Sequence, residues 1–141
     1  MFPIDVIVLC IGLNVYFEAQ GEPLEGQHAV AEVTMTRAEI SGRGMCEEVF
    51  EDSQFSWTKL IPRPKVTNNQ AWGEALAVTN TALASAFNYS NGATHYHAIR
   101  WKGKPFPKPR WAYNLCETTR IGNHVFYKPC EVKKTLYETI R

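Results

Sequence analysis

The segment from Ile4 to Phe17 constrains the fold most, because it is apolar on nearly every side of a helix. Apolar residues recur along it at i, i+3, i+4 and i+7, and others fill most of the remaining positions. A helix of this kind belongs in a protein core rather than at a surface. The segment lacks a positively charged start and a small-residue cleavage site, so we expect a core helix and no export signal. Its uncharged part is also shorter than the roughly 20 residues that a membrane span needs.

The end of this helix carries the first candidate for chemistry. Gly21 is a plausible C-cap and Pro23 a plausible first residue of the next helix, which leaves Glu18 near the helix end. The negative end of the helix dipole and the apolar neighbours Tyr16 and Phe17 both disfavour a charged carboxylate there. These effects predict a raised pKa, as a general acid for glycosidic cleavage requires. The alternative is an ordinary glutamate that points into water.

The rest of the chain predicts an α+β fold with three main helices and a small sheet, in a single domain over residues 1–141. The second helix is expected over residues 23–39, and a short helical turn over 46–51. A third long helix follows a cap at Asn69, with Trp72, Leu76, Thr79, Leu83 and Phe87 on one face. Residues 93–99 and 123–127 are the expected strands, with an aromatic loop over 100–112. Residues 131–140 are expected to form a closing helix.

The composition is typical of an ordinary globular protein, and the net charge is too small for a strong electrostatic field. The 141 residues are 45% hydrophobic and 21% charged, with a formal net charge of +1. This balance gives no indication of nucleic-acid binding. Four cysteines allow three full pairings and none lies in a CxxC pair. We expect them to be reduced and mostly buried.

Several sequence blocks resemble one enzyme family. The run from Asn14 to Ala31, NVYFEAQGEPLEGQHAVA, resembles the signature N-x-Y-x-E-A-R-G-E-P-x-E-G-Q-x-A-V-A of the SleB-like cell wall hydrolases, typified by spore cortex-lytic enzymes. Residues 54–58 (QFSWT), 92–98 (GATHYHA), 111–112 (WA) and 121–127 (IGNHVFY) are similar to later blocks of that family, in the same order. The resemblance covers about residues 9 to 127. Gln20 replaces the usual arginine, which leaves the role of that arginine open.

The resemblance implies a lysozyme-like, lytic transglycosylase-type fold that cuts peptidoglycan between N-acetylmuramic acid and N-acetylglucosamine. The family's catalytic acid corresponds to Glu18. It would protonate the glycosidic oxygen and then act as base for the muramoyl 6-hydroxyl, giving a 1,6-anhydro product. A hydrolytic muramidase would instead need a positioned water or a second carboxylate about 5 to 9.5 Å away. Glu22 and Glu25 are the nearest in sequence, but Glu22 precedes Pro23 and is biased towards an extended conformation. No aspartate occurs in the matched blocks, which favours the single-glutamate mechanism.

Other residues of these blocks are candidates for substrate binding or support. The predicted substrate-binding residues are Gln54, Phe55, Ser56, Trp57, Thr94, His95, Tyr96, His97 and Trp111. The predicted supporting residues are Asn14, Glu22, Glu25 and Gln27. Packing in the core is the alternative for the aromatic residues and for the 94–97 block. The sequence does not decide whether Tyr96 or His95 faces the cleft. We expect no metal or cofactor, since His95 and His97 lack a third ligand at a convincing spacing.

The expected partner is bacterial peptidoglycan, for a monomeric enzyme with no membrane-spanning segment and no nucleic-acid partner. Without an export signal or a separate wall-binding region, the chain has the build expected of a phage or prophage endolysin. Such a protein stays in the host cytoplasm until it is released to the wall. Two rivals remain: a non-catalytic glycan-binding module on the same fold, and a metal-dependent amidase or peptidase.

Overall fold

The computed structural model describes residues 3–51, 65–85 and 87–131. The helices are α1 (Ile4–Ala19), α2 (Leu24–Ser41), α3 (Met45–Phe50) and α4 (Asn69–Ala84), with a 3-10 helix at Arg110–Asn114. The strands are β1 (His95–Ala98), β2 (Arg100–Trp101), β3 (Lys104–Pro105), β4 (Cys116–Ile121) and β5 (His124–Lys128). The closing helix expected over 131–140 lies almost entirely outside the described residues. Among those residues, no helix has the length and apolar composition needed to cross a membrane.

Helix α1 is the central helix, as its composition predicts. It packs against α2, α3 and α4, and Ile11, Val15 and Tyr16 are buried in the largest core cluster. A Cβ on Gly12 would lie 3.0 Å from Leu76, so the glycine allows α1 and α4 to approach closely. The start of α1 departs from the expectation of full burial, because Ile4 is 70% exposed.

The predicted boundaries of the other long helices shift by one or two residues. Pro23 is the N-cap of α2 rather than its first helical residue. Asn68, not Asn69, caps α4, and its side chain accepts a hydrogen bond from the Ala71 amide at 3.0 Å. The predicted apolar face of α4 is wrong at Phe87, which lies beyond the helix and is largely exposed.

The main sheet has three antiparallel strands in the order β1-β5-β4. The predicted pairing of the 93–99 and 123–127 segments is confirmed, with Tyr96 opposite Phe126 in the register. Strand β4 was not predicted, because its CETTRI sequence is polar and mostly exposed at the sheet edge. The predicted aromatic loop contains the β2–β3 hairpin, which turns at Lys102 and Gly103, both with positive φ.

The cysteines form two disulfides, so the expectation of reduced thiols is wrong. Cys10 on α1 pairs with Cys46 on α3, and Cys116 on β4 pairs with Cys130. The first pair follows from the packing of α1 against α3, which brings the two Cα atoms to 5.3 Å. That packing is a tertiary contact that no sequence spacing reveals.

Candidate active site

Glu18 lies in the last turn of α1, at the place where the chain reverses into α2. Its side chain is half-buried. The reversal depends on Gly21, which has a φ of +84°, a left-handed conformation that favours glycine. The Glu22 amide donates to the Ala19 carbonyl at 3.1 Å and closes the end of the helix. Glu18 is therefore held on a rigid element beside an exposed turn.

Tyr96 of β1 faces Glu18 and Asn14, which lies one turn earlier in α1. Asn14 is fully buried, and its Nδ2 donates to the Tyr96 hydroxyl at 3.4 Å and to Thr34 Oγ1 at 3.5 Å. Burial raises the pKa of Tyr96 well above its usual range, and the charge of Glu18 and a hydrogen bond to its carboxylate raise it further. The Tyr96 hydroxyl thus remains protonated and donates to Glu18. Of the two candidates that the sequence left open, Tyr96 is the one on the Glu18 side.

The two histidines of β1 lie on the opposite face of the strand. His97 stacks on Tyr127 with ring centroids 5.3 Å apart, and its Nε2 lies 2.8 Å from the Tyr127 hydroxyl. Trp111 contacts both His95 and His97, at centroid distances of 5.1 and 5.9 Å. This face of β1 carries an aromatic cluster, and Glu18 lies on the side of the other face. His97 and Trp111, predicted to bind substrate, are therefore apart from the Tyr96 side.

Thr94 directly precedes β1, and His95 is the first residue of that strand. Thr94 is buried, and its Oγ1 is 2.8 Å from His95 Nδ1. Burial lowers the pKa of His95, and the positive charge of Arg37 lowers it further. These contacts fix the beginning of β1, the strand that contains Tyr96.

Glu22 joins the α1–α2 junction to the β4–β5 turn. Its Oε1 accepts hydrogen bonds from the Asn123 amide at 2.7 Å and from His124 Nδ1 at 2.8 Å. A Cβ on Gly122 would meet Pro23 at 2.8 Å, so only glycine permits this close approach. Burial lowers the pKa of His124, and the Glu22 carboxylate opposes part of that shift. These contacts fit the supporting role predicted for Glu22.

Gln27 and Glu25 differ in their surroundings. Gln27 is buried, and its Nε2 donates to the Glu22 carbonyl at 3.0 Å and to Glu74 Oε1 of α4 at 2.5 Å. It therefore holds the junction against α4, in line with a supporting role. Glu25 lies exposed in the first turn of α2.

Sequence reasoning missed Arg37 of α2. Its charge lowers the pKa of both Tyr96 and His95, so it lies within electrostatic reach of the site. Its Nε donates at 3.1 Å to Glu48, whose carboxylate is almost completely buried. A half-buried arginine in a helix gives no local signal, because its effect depends on which side chains the fold brings near it.

A second missed network fixes the turn that leads into β1. Glu32 of α2 accepts hydrogen bonds from the Tyr89 amide at 3.1 Å, the Ser90 amide at 3.0 Å and the Ser90 hydroxyl at 2.9 Å. His28, one helical turn earlier, donates to the same carboxylate from Nδ1 at 2.5 Å. The spacing of His28 and Glu32 was the one available signal, since i and i+4 share a helix face.

The predicted residues Gln54, Phe55, Ser56 and Trp57 lie outside the described residues. Within the described ranges, no three His, Cys, Asp or Glu side chains are grouped so that they could hold a metal ion.

Comparisons with known proteins identify the family and the fold. A family model described as Cell Wall Hydrolase matches residues 21–127. The catalytic domain of the Bacillus cereus SleB protein is 23% identical, with a TM-score of 0.64 over 91% of this chain and 93% of that one. The catalytic domain of the germination-specific lytic transglycosylase SleB from Bacillus anthracis is 22% identical, with a TM-score of 0.70 over 90% of this chain and 97% of that one. These structures confirm the predicted fold, mainly helical with a small antiparallel sheet. A comparison with curated proteins finds no match.

Proposed function

The chain belongs to the cell wall hydrolase family and is a peptidoglycan-cleaving enzyme, and from this premise we propose that it is a lytic transglycosylase in which Glu18 is the only catalytic carboxyl group. The observation that carries the proposal is the contact of Glu18 with the protonated hydroxyl of Tyr96. Glu22, the nearest rival in sequence, has its Oε1 engaged with two donors of the β4–β5 turn.

In the first step, the Glu18 carboxylic acid donates its proton to the oxygen that links N-acetylmuramic acid to N-acetylglucosamine. The bond from muramoyl C1 to that oxygen breaks, and positive charge develops on the muramoyl ring. The Glu18 carboxylate that remains is stabilised by the hydrogen bond from Tyr96, which becomes stronger once the acceptor is ionised. Asn14 fixes the position of the tyrosine hydroxyl from the helix side.

In the second step, the same carboxylate removes the proton of the muramoyl 6-hydroxyl, and that oxygen bonds to C1. The product is a 1,6-anhydro-muramoyl end, no water is consumed, and Glu18 returns to its protonated form. One carboxyl group therefore acts in turn as acid and as base. A positioned second carboxylate is unnecessary in this scheme.

We propose that the enzyme acts in the cell wall as an endolysin, which reaches the wall from the host cytoplasm when the membrane is permeabilised. The two disulfides support the place of action, because disulfides persist in oxidising surroundings and are rare in the cytosol. Both pairs would be reduced thiols in the cytoplasm, and after release dioxygen outside the cell would take two electrons and two protons from each pair as the disulfide forms. Alkylation of free thiols, measured by mass before and after lysis, tests this order.

The mechanism is tested by replacing Glu18 with glutamine and following the release of soluble fragments from insoluble peptidoglycan. Because general acid and base catalysis contributes on the order of 10² to 10⁴ in rate, Glu18→Gln is expected to lose at least about a hundredfold. The control is Glu39→Gln, which changes an exposed carboxylate on α2 and should keep the wild-type rate. A folded Glu18→Gln variant with full activity would remove Glu18 from the mechanism.

A further inference from the structure

Residues 100–113 form a surface that the proposed mechanism does not use, here called the basic aromatic surface. Its sequence, RWKGKPFPKPRWAY, contains five lysines or arginines and no acidic residue. Three of its aromatic side chains are well exposed: Trp101 at 63%, Phe106 at 42% and Tyr113 at 70%. A single exposed aromatic residue is unremarkable, but several beside a cluster of cations mark an interaction surface.

This surface lies on the face of the main sheet away from Tyr96. Trp111 contacts Tyr127 edge-on at 5.6 Å between centroids, and Phe106 stacks against His97 at 6.5 Å. His97 lies on the opposite face of β1 from the tyrosine that contacts Glu18. The basic aromatic surface is therefore distinct from the surroundings of the catalytic acid.

Few carboxylates neutralise the positive charge of the basic aromatic surface. Within the described part of the chain, none of its five cations makes an ion pair with a carboxylate. Lys108 Nζ instead lies over the Tyr113 ring, 4.5 Å from its centroid. Glu117 is an acid within electrostatic reach of Lys108, but it is paired with Arg120. The whole chain has a formal net charge of only +1, so this local excess is offset elsewhere. A concentrated positive surface of this kind attracts an anionic partner.

The combination of aromatic rings and cations restricts the chemical class of the partner further. Aromatic faces pack against the apolar faces of sugar rings, while lysine and arginine pair with carboxylates. Peptidoglycan offers both groups along one polymer, as sugar rings and as the carboxylates of its stem peptides. The aromatic residues alternate with cations along residues 100–113, rather than gathering into one apolar face that could enter a lipid bilayer.

We infer that the basic aromatic surface is a second, non-catalytic binding surface for anionic peptidoglycan. The inference rests on the proposed activity, because it names a second contact with the same polymer. Binding at this surface would keep the enzyme on insoluble wall material between cuts, and so raise the effective concentration of glycan at Glu18. It would have no effect on short soluble fragments that cannot reach both places.

Binding is measured by co-sedimentation with purified sacculi, in a Glu18→Gln background so that the polymer stays intact. The test variant is Lys102→Gln/Lys104→Gln/Lys108→Gln, and the control is Lys65→Gln/Lys128→Gln, which removes cations elsewhere. Three lost surface ion pairs are expected to weaken binding roughly tenfold, while the control binds as its parent does. Amidation of the sacculus carboxylates should weaken binding of the parent to a similar extent. Trp101→Ala should weaken binding to native and amidated sacculi alike.

Three results would overturn the inference. They are unchanged binding by the triple variant, equal binding of the parent to native and amidated sacculi, and tighter binding to vesicles of anionic phospholipid than to sacculi. The proposed function fails in a different assay, in which the chain with Glu18 intact releases no fragments from peptidoglycan. With Glu18 intact, the triple variant should cut soluble glycan oligomers at the wild-type rate and insoluble sacculi more slowly.

Discussion

Replacing Glu22 separates its supporting role from a catalytic one. Its carboxylate receives the Asn123 amide at 2.7 Å and His124 Nδ1 at 2.8 Å, and the side chains of Glu22 and His124 are 14% and 5% exposed. Glu22→Ala leaves both donors without an acceptor in a largely buried place. Glu22→Gln keeps an oxygen in the same position and removes only the charge.

The cost of the two changes follows from these contacts. A buried donor that loses its acceptor costs about 1–3 kcal/mol, so two such donors give a loss of roughly 4 kcal/mol for Glu22→Ala. At this chain length, that corresponds to a fall in Tm of about 13 °C. Glu22→Gln should lose about 1 kcal/mol, because neutral hydrogen bonds replace charge-assisted ones.

The assay pairs thermal unfolding with the rate of fragment release from peptidoglycan. If Glu22 only holds the β4–β5 turn, Glu22→Gln remains within about threefold of the wild-type rate at a temperature where it is folded. If Glu22 is a second catalytic carboxylate, the rate of the folded variant falls on the order of a hundredfold or more. That loss would refute the single-glutamate mechanism, and a stable Glu22→Ala variant would refute the supporting role.

Three further changes test other contacts of the site and the fold. Tyr96→Phe removes a hydroxyl that donates to Glu18, so we expect a fall in the rate of roughly 10- to 100-fold at a temperature where the variant is folded. It also leaves the buried Asn14 amide without one acceptor, at a cost of about 1–3 kcal/mol of stability. An unchanged rate would exclude the contact from catalysis. Reduction of the disulfides should destabilise the fold. The Cys10–Cys46 bridge closes a loop with a sequence separation of 36, so its loss is expected to cost about 4 kcal/mol. Equal denaturation midpoints with and without dithiothreitol would contradict this expectation. Because burial lowers the pKa of His124, the neutral imidazole contributes stability that is complete above the unfolded-state pKa of about 6.5, and that stability is lost as the pH falls from there through the lower folded-state pKa. Melts between pH 7.5 and 5.5 should show a smaller decline in the His124→Asn variant.

The sequence predicts the structure best where local periodicity and helix-ending residues determine it. The apolar run of α1, the glycine at position 21 and the proline at 23 predict the two helices and the reversal that places Glu18 beside a turn. The alternation of β1 separates Tyr96 from His95 and His97, but gives no sign of which face meets α1. That choice depends on how the sheet packs on the helices, a contact across 82 residues in the case of Asn14 and Tyr96.

The features that the sequence does not reveal are those that depend on tertiary contacts. Strand β4 escapes prediction because its outward residues, such as Glu117 and Arg120, have no alternating apolar pattern. The Cys10–Cys46 bridge depends on the packing of α3 against α1. Arg37 acquires its influence on the site only when the fold brings it within electrostatic reach of Tyr96 and His95, which no residue pattern in α2 indicates.

The chemical identity of the glycan ends that the enzyme leaves distinguishes transglycosylation from hydrolysis and from peptide cleavage. Purified peptidoglycan is digested with the wild-type chain and with Glu18→Gln, and the soluble fragments are identified by mass spectrometry. The single-glutamate mechanism predicts 1,6-anhydro-muramic ends from the wild type and none from the variant. Reducing muramic ends would show hydrolysis in place of transglycosylation. Intact glycan strands with new amino groups would show that the enzyme cuts the peptide stems instead, and would contradict glycan cleavage by Glu18.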